Sequence, residues 1–372
     1  MNLFSFIDKY GCYTFDEFAF TEVDNIIFSL LSYLEFEGIV SRNRYNPKKL
    51  FTVGEEYFKS YNKKETKILT VRKAIKVLRE IKNTRRYGDL LLYNYIYDTS
   101  GDNQFGALTI EINKKLVYVS FEGTDHLISG WKEDFMMSYM FPILSQRKAI
   151  DYINRNFIFR KKKIIVGGHS KGGNLALVAS MYANFIVKDK IIKIYNNDGP
   201  GLLKVQFNSK EYKSIESKLI HIVPNYSFFG LLLCHGENVE IVRSFKKSLL
   251  SHDATTWVVR DNKFERVELS SFSESLDNRI DDWLDKYSLE ERELWVKSMF
   301  SIFDKIGIDS LVDVVNNKKL ILKLLNEAKE FDNKTSLMLK EFFKILFDTI
   351  AIVTKEEFVS FFEKRVSRRQ SD

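Results

Sequence analysis

Ile164-Ile165-Val166-Gly167-Gly168-His169-Ser170-Lys171-Gly172-Gly173-Asn174-Leu175-Ala176 is the stretch that decides the fold. It reads as an apolar strand, a Gly-x-Ser-x-Gly turn and the start of a helix. A turn this sharp needs glycine on both sides of the serine, or the helix cannot pack back on its strand. The serine Oγ is then held out at the carboxyl end of a sheet. There the positive helix end and the Lys171 amide face a developing anion. Five residues of this pattern also occur by chance. The strand before it and the small-residue helix face after it (Gly173, Ala176, Ala179, Ala183) argue for a true elbow. A phosphate-binding loop is excluded, because no Lys-Ser/Thr pair follows the second glycine. No HExxH or Cys/His cluster is present, so neither a metal nor another cofactor is expected.

Upstream of the elbow the apolar period is two. Leu91–Tyr97, Gly106–Ile112 and Leu116–Phe121 are predicted strands joined by turns. From there strands alternate with helices. The strands are Lys163–Val166, Lys193–Asn196, Leu219–Val223 and Val239–Val242, and the helices 145–158 and 173–187. That alternation predicts an α/β fold with a mostly parallel central sheet. Trp257–Arg260 and Phe264–Val267 suggest a hairpin about Asp261-Asn262-Lys263. Residues 1–86 read as a helical extension, with apolar spacing of three and four over Val23–Leu34 and Lys67–Ile81. Residues 270–372 read as a second one, where Ser288-x-x-Glu291 opens a helix that Gly307 ends. The expected division is therefore 1–86, a core of 87–269, and 270–372.

Composition narrows the class. The chain has 372 residues, 45% apolar and 14% aromatic, which is ample for a packed core. Its net charge of +7 is local: Arg42–Asp89 holds 15 basic and 5 acidic residues, so the remainder is net negative. A uniformly basic nucleic-acid binder does not fit. Two cysteines, Cys12 and Cys234, make no disulfide framework. The N-terminal stretch is broken by Asp8, Lys9 and Asp16, so no signal peptide is read and a cytoplasmic location is expected.

A nucleophilic serine requires a base and an orienting acid. Of five histidines, His169 lies in the elbow, His221 in mid-strand, and His126 and His235 in loops. His252 follows the last parallel strand, where the chain order Ser…Asp/Glu…His places the base. Asp198 ends a strand and opens Asp198-Gly199-Pro200-Gly201, which would leave its carboxylate at the sheet edge. The competing reading is a turn aspartate bonding its own backbone. Asp253 and Asp134 are the rival acids. The loop after Phe121 should supply the second oxyanion donor: Gly123 permits close approach, and Thr124 joins the Lys171 amide. The segment carrying Gly130-Trp131-Lys132-Glu133-Asp134 is either a flap over an acyl pocket or, as preferred, an ordinary packed helix.

Phe121-Glu122-Gly123-Thr124, Gly130-Trp131-x-x-Asp134 and Gly168-His-Ser-Lys-Gly172 together resemble the class 3 lipase pattern of α/β-hydrolases. The chain looks closer still to a bacterial family of lipase-like hydrolases, the Mbeg-like proteins. That family carries Asp-Gly-Pro-Gly after the elbow helix and a Ser-His-Asp…Trp segment later. The resemblance covers about residues 1–315. It implies Ser170 as nucleophile, His252 as base, Asp198 as acid, and an ester, small or lipid, as substrate. Two departures stand out. Glu122 replaces the family's usual arginine, and class 3 lipases place their acid one strand later, at the position of Asn225–Ser227. These departures favour an alternative, a weakly active hydrolase fold serving as a binding or regulatory module. The basic segment reads as a solvated helical face, with peripheral contact to an anionic membrane as its alternative.

Overall fold

The computed structural model of the chain describes residues 1–60, 68–99, 104–124, 128–308 and 318–345. Two helices open it, α1 (Leu3–Tyr10) and α2 (Glu22–Leu31), followed by a short strand β1 (Lys48–Lys49), α3 (Leu50–Ser60) and α4 (Leu69–Ile81). Then come β2 (Leu91–Asp98), β3 (Phe105–Asn113), β4 (Leu116–Phe121), α5 (Ile128–Met136), α6 (Leu144–Phe157), β5 (Lys163–His169) and α7 (Lys171–Met181). The second half of the sheet is β6 (Ile191–Asn197), β7 (Leu219–Pro224) and β8 (Val239–Val242). Single-turn helices α8 (Phe185–Lys188), α9 (Lys204–Phe207) and α10 (Lys210–Lys213) lie around and after β6. A two-residue hairpin, β9 (Val259–Arg260) and β10 (Lys263–Phe264), precedes α11 (Ser271–Lys286), α12 (Leu289–Ile306), α13 (Lys318–Glu327) and a helical stretch at 333–345.

Strands β1 to β8 form one sheet in sequence order. Pairing is antiparallel from β1 to β4 and parallel from β4 to β8, with helices separating β1 from β2, β4 from β5, β5 from β6 and β6 from β7. This is the mostly parallel, helix-flanked sheet of an α/β-hydrolase. Strand β5 shows how the sequence builds it. Ile164 and Val166 point into a cluster with α6 and α7, and Ile165 points into the opposite cluster with α1, α2 and α4. A strand apolar on both faces belongs at the centre of a sandwiched sheet. Each of these side chains, buried completely or nearly so, contributes about 1.5–3 kcal/mol relative to exposure.

The N-terminal zone is not wholly helical, because Lys48–Lys49 pairs with Leu91–Leu92 as the edge strand. Two lysines carry no period-two signal, but lysine suits an edge that must not pair further. The helix expected over 173–187 begins at Lys171, stops at Met181 and restarts at Phe185, where the Asn184 side chain caps it by accepting from the Ile186 amide. Among the described residues, seven of the cations from Arg42 to Arg86 are engaged by carboxylates. Arg86 is fully buried against Asp24, whose carboxylate also caps α2 and accepts from the Tyr87 hydroxyl. The Ser288–Glu291 capping box and the left-handed Gly307 (φ 72°) bound α12 as expected. A third apolar cluster joins α11, α12 and residues 338–345 to α5 and the 228–233 segment. Among the described residues no helix is long and apolar enough to cross a membrane.

Candidate active site

Ser170 joins β5 to α7 with φ 58° and ψ −134°, a left-handed backbone that a serine adopts only where its surroundings enforce it. Those surroundings are steric. A Cβ on Gly168 would lie 2.3 Å from the Gly172 carbonyl carbon, and one on Gly172 would lie 2.2 Å from the Phe121 oxygen. The turn is also tied sideways. The Ser170 amide donates to the Asn197 carbonyl (2.9 Å), and Asn197 Nδ2 donates to the Gly168 carbonyl (2.8 Å).

Asp198 follows β6 and is fully buried. Its Oδ2 accepts from His252 Nδ1 at 2.6 Å, and its Oδ1 accepts from the Ser227 hydroxyl (2.5 Å) and the Gly230 amide (3.1 Å). Donation from Nδ1 leaves Nε2 as the basic nitrogen of a neutral imidazole. The ring of His252 is held between His169 and Phe229, at centroid distances of 4.5 and 4.6 Å. The Nδ1 of His252 bonds neither rival acid. Asp253 caps the turn Ala254–Thr256 and pairs with Lys73 at 3.3 Å. Asp134 faces a cavity, and burial pushes its carboxyl up to about 7 against the opposing pull of the Lys171 ammonium. The position one strand later, where an acid was sought and absent, holds Ser227, which now serves as a donor to Asp198.

The loop after β4 lies against the elbow. A Cβ on Gly123 would sit 2.1 Å from the Tyr33 hydroxyl and 2.3 Å from the His169 carbonyl, so only glycine fits. Thr124 beside it is buried, with its hydroxyl near the Asp134 carboxyl. Lys171 is the first residue of α7, where the amide has no partner within the helix. Its side chain was not anticipated. The ammonium is fully buried and donates to Glu133 Oε2 and the Gln104 carbonyl, both at 2.9 Å. Glu133 Oε1 in turn accepts from the Ser145 amide at 3.0 Å, so this ion pair joins the amino ends of α6 and α7 to α5. Glu122 is buried over β3, close enough to Gly106 that a Cβ there would meet its carboxylate at 2.1 Å. Of the remaining histidines, His221 is buried and pushed down to about 3 by burial and by neighbouring His235, hence neutral. His126 lies outside the described residues.

Ser170 and Asp134 open on a cavity. Its walls are apolar and largely aromatic, including Trp131 from α5, Phe229, and Trp283, Trp295 and Phe342 from the C-terminal helices. The segment around Trp131 is thus both a packed helix and a wall of the cavity. No group of His, Cys, Asp and Glu that could hold a metal occurs among the described residues. The arrangement can support nucleophilic attack with proton relay beside an apolar pocket.

A protein-family model described as Mbeg1-like matches residues 81–301, more than half of the chain. Among solved structures, that of M37 lipase is similar over 67% of this chain and 83% of that one, at 14% identity and a TM-score of 0.36. The likeness is too distant to bear on activity. No curated protein is significantly similar to the chain.

Proposed function

The chain belongs to the Mbeg1-like family, and we propose that it is a serine hydrolase of carboxylic esters. The observation that carries this reading is the 2.6 Å bond between buried Asp198 and His252, set beside a conformationally enforced Ser170 at an apolar cavity. In this scheme Ser170 Oγ attacks the acyl carbon while His252 Nε2 takes its proton. Asp198 stabilises the resulting imidazolium. The Lys171 and Thr124 amides bind the tetrahedral oxyanion. Collapse breaks the ester C–O bond, and the departing alcohol leaves with the proton from His252. Water then attacks the acyl-enzyme by the same relay and releases the acid.

The acyl group would occupy the aromatic cavity, whose far wall comes from α11, α12 and 333–345. Purified protein should be labelled by a fluorophosphonate and should hydrolyse nitrophenyl esters, and Ser170→Ala should abolish both. Labelling that survives this change sinks the proposal. A wild-type protein inert to the reagent and to every acyl length would instead favour the binding module.

A further inference from the structure

We propose that His169, held by Tyr33, is a positioning residue for His252, which makes the N-terminal helices part of the catalytic unit. The inference rests on the hydrolase reading and adds residues to it. His169 Nε2 lies 2.7 Å from the His252 carbonyl oxygen. A carbonyl only accepts, so Nε2 carries the proton. A neutral imidazole protonated there presents Nδ1 as an acceptor, and the Tyr33 hydroxyl is 3.0 Å from it. The same hydroxyl lies 3.2 Å from the carbonyl of His169 itself, so its single proton is shared between the ring nitrogen and that backbone oxygen. Both side chains are buried, at 3% and 2% exposure, and no competing bulk water reaches this relay.

The relay has a directional consequence. Asp198 holds the imidazole of His252 at Nδ1, His169 holds its backbone oxygen, and the rings of His169 and Phe229 flank it. With the main chain and Nδ1 both fixed, Nε2 has one place to go. A second tether reaches the next residue, since Lys73 of α4 pairs with Asp253. Tyr33 follows α2 and reaches His252 only through His169, whereas Lys73 of α4 meets the next residue directly. Packing alone does not demand this. A leucine at 169 would fill similar volume and lose both bonds.

The test uses the full chain, with a nitrophenyl ester as substrate. His169→Leu should lower kcat about 10²-fold, the loss typical of a reacting group displaced by roughly 1 Å, with little change in KM. His169→Gln, whose amide can still donate to the carbonyl, should recover most of that loss. Tyr33→Phe should lower kcat about fivefold, the worth of one neutral hydrogen bond. The downfield proton resonance of His252 Nδ1–H should be sharp in wild type and His169→Gln and broadened in His169→Leu. Retention of wild-type kcat in His169→Leu overturns the inference. So does a glutamine variant as impaired as the leucine variant at unchanged thermal midpoint. If His169→Leu does not fold, Tyr33→Phe decides: unchanged kcat and an unchanged resonance overturn it. A wild type that turns over no ester counts against the hydrolase reading, while the resonance still reports on the relay.

Discussion

The ion pair between Lys171 and Glu133 offers a sharp test of how this site is held. The side chains are 0% and 5% exposed and 2.9 Å apart. At an effective dielectric constant of about 20, their attraction is about 6 kcal/mol before desolvation is charged against it. Lys171→Met removes that attraction, strands the Glu133 carboxylate beside the Ser145 amide, and takes the ammonium donor away from the Gln104 carbonyl. The expected loss of stability is about 3–5 kcal/mol, the usual penalty for breaking one side of a buried pair. Glu133→Gln should cost a comparable amount, because it leaves an ammonium without its counter-charge. The double variant removes both charges and retains an acceptor for Ser145. Its cost should therefore fall short of the sum by about 2–3 kcal/mol. Urea unfolding of the four proteins, followed by tryptophan fluorescence, reads this directly. A Lys171→Met cost below about 1 kcal/mol, or costs that simply add, would refute the reasoning.

Three further outcomes follow from the site. Asp198→Asn should keep the fold and lower kcat by about 10⁴-fold, because the amide favours the wrong tautomer of His252; steady-state ester hydrolysis measures it. Gly123→Ala should abolish turnover or folding, because its Cβ would lie 2.1 Å from the Tyr33 hydroxyl and 2.3 Å from a backbone carbonyl; circular dichroism and fluorophosphonate labelling separate the two. Burial raises the carboxyl of Asp134 to about 7 from an ordinary 3.8, so the folded state holds a proton that the unfolded state has lost between those values. Its contribution to stability should fall as pH rises from about 4 to 7, by on the order of 2 kcal/mol given its contact with the cavity. Asp134→Asn should flatten that slope in urea midpoints at pH 5 and 8.

The elbow was legible because its signature is local. Gly168 is enforced by the backbone of Gly172 and Gly172 by the carbonyl of Phe121 on the neighbouring strand, yet both demands write themselves as glycines two places either side of Ser170. Asp198 and His252 were legible through chain order, since a parallel sheet sets its strand ends out in sequence. What the chain order could not convey is who else holds Asp198. Ser227 looked like the absence of an acid and is a donor to one, a role that depends on a loop folding back across the end of β7. Lys171 pairs with a residue 38 positions away, and nothing in a motif read as a backbone turn marks its side chain as buried. The C-terminal helices announced themselves by capping box and period. Their destination is a matter of long-range packing, which amphipathic spacing does not encode.

The far wall of the cavity has a consequence in time. Every residue assigned to the chemistry lies at or before position 252, whereas Trp283, Trp295 and Phe342 complete the pocket only afterwards. At a translation rate of roughly 5–20 residues per second, about 5–20 seconds separate synthesis of His252 from synthesis of Phe342. Through that interval the nascent chain has Ser170, Asp198 and His252 but presents Trp131, Phe228 and Phe229 without their cover. A chain interrupted there would carry a sticky aromatic face, and α11, α12 and 333–345 act, during biogenesis, as the partner that hides it.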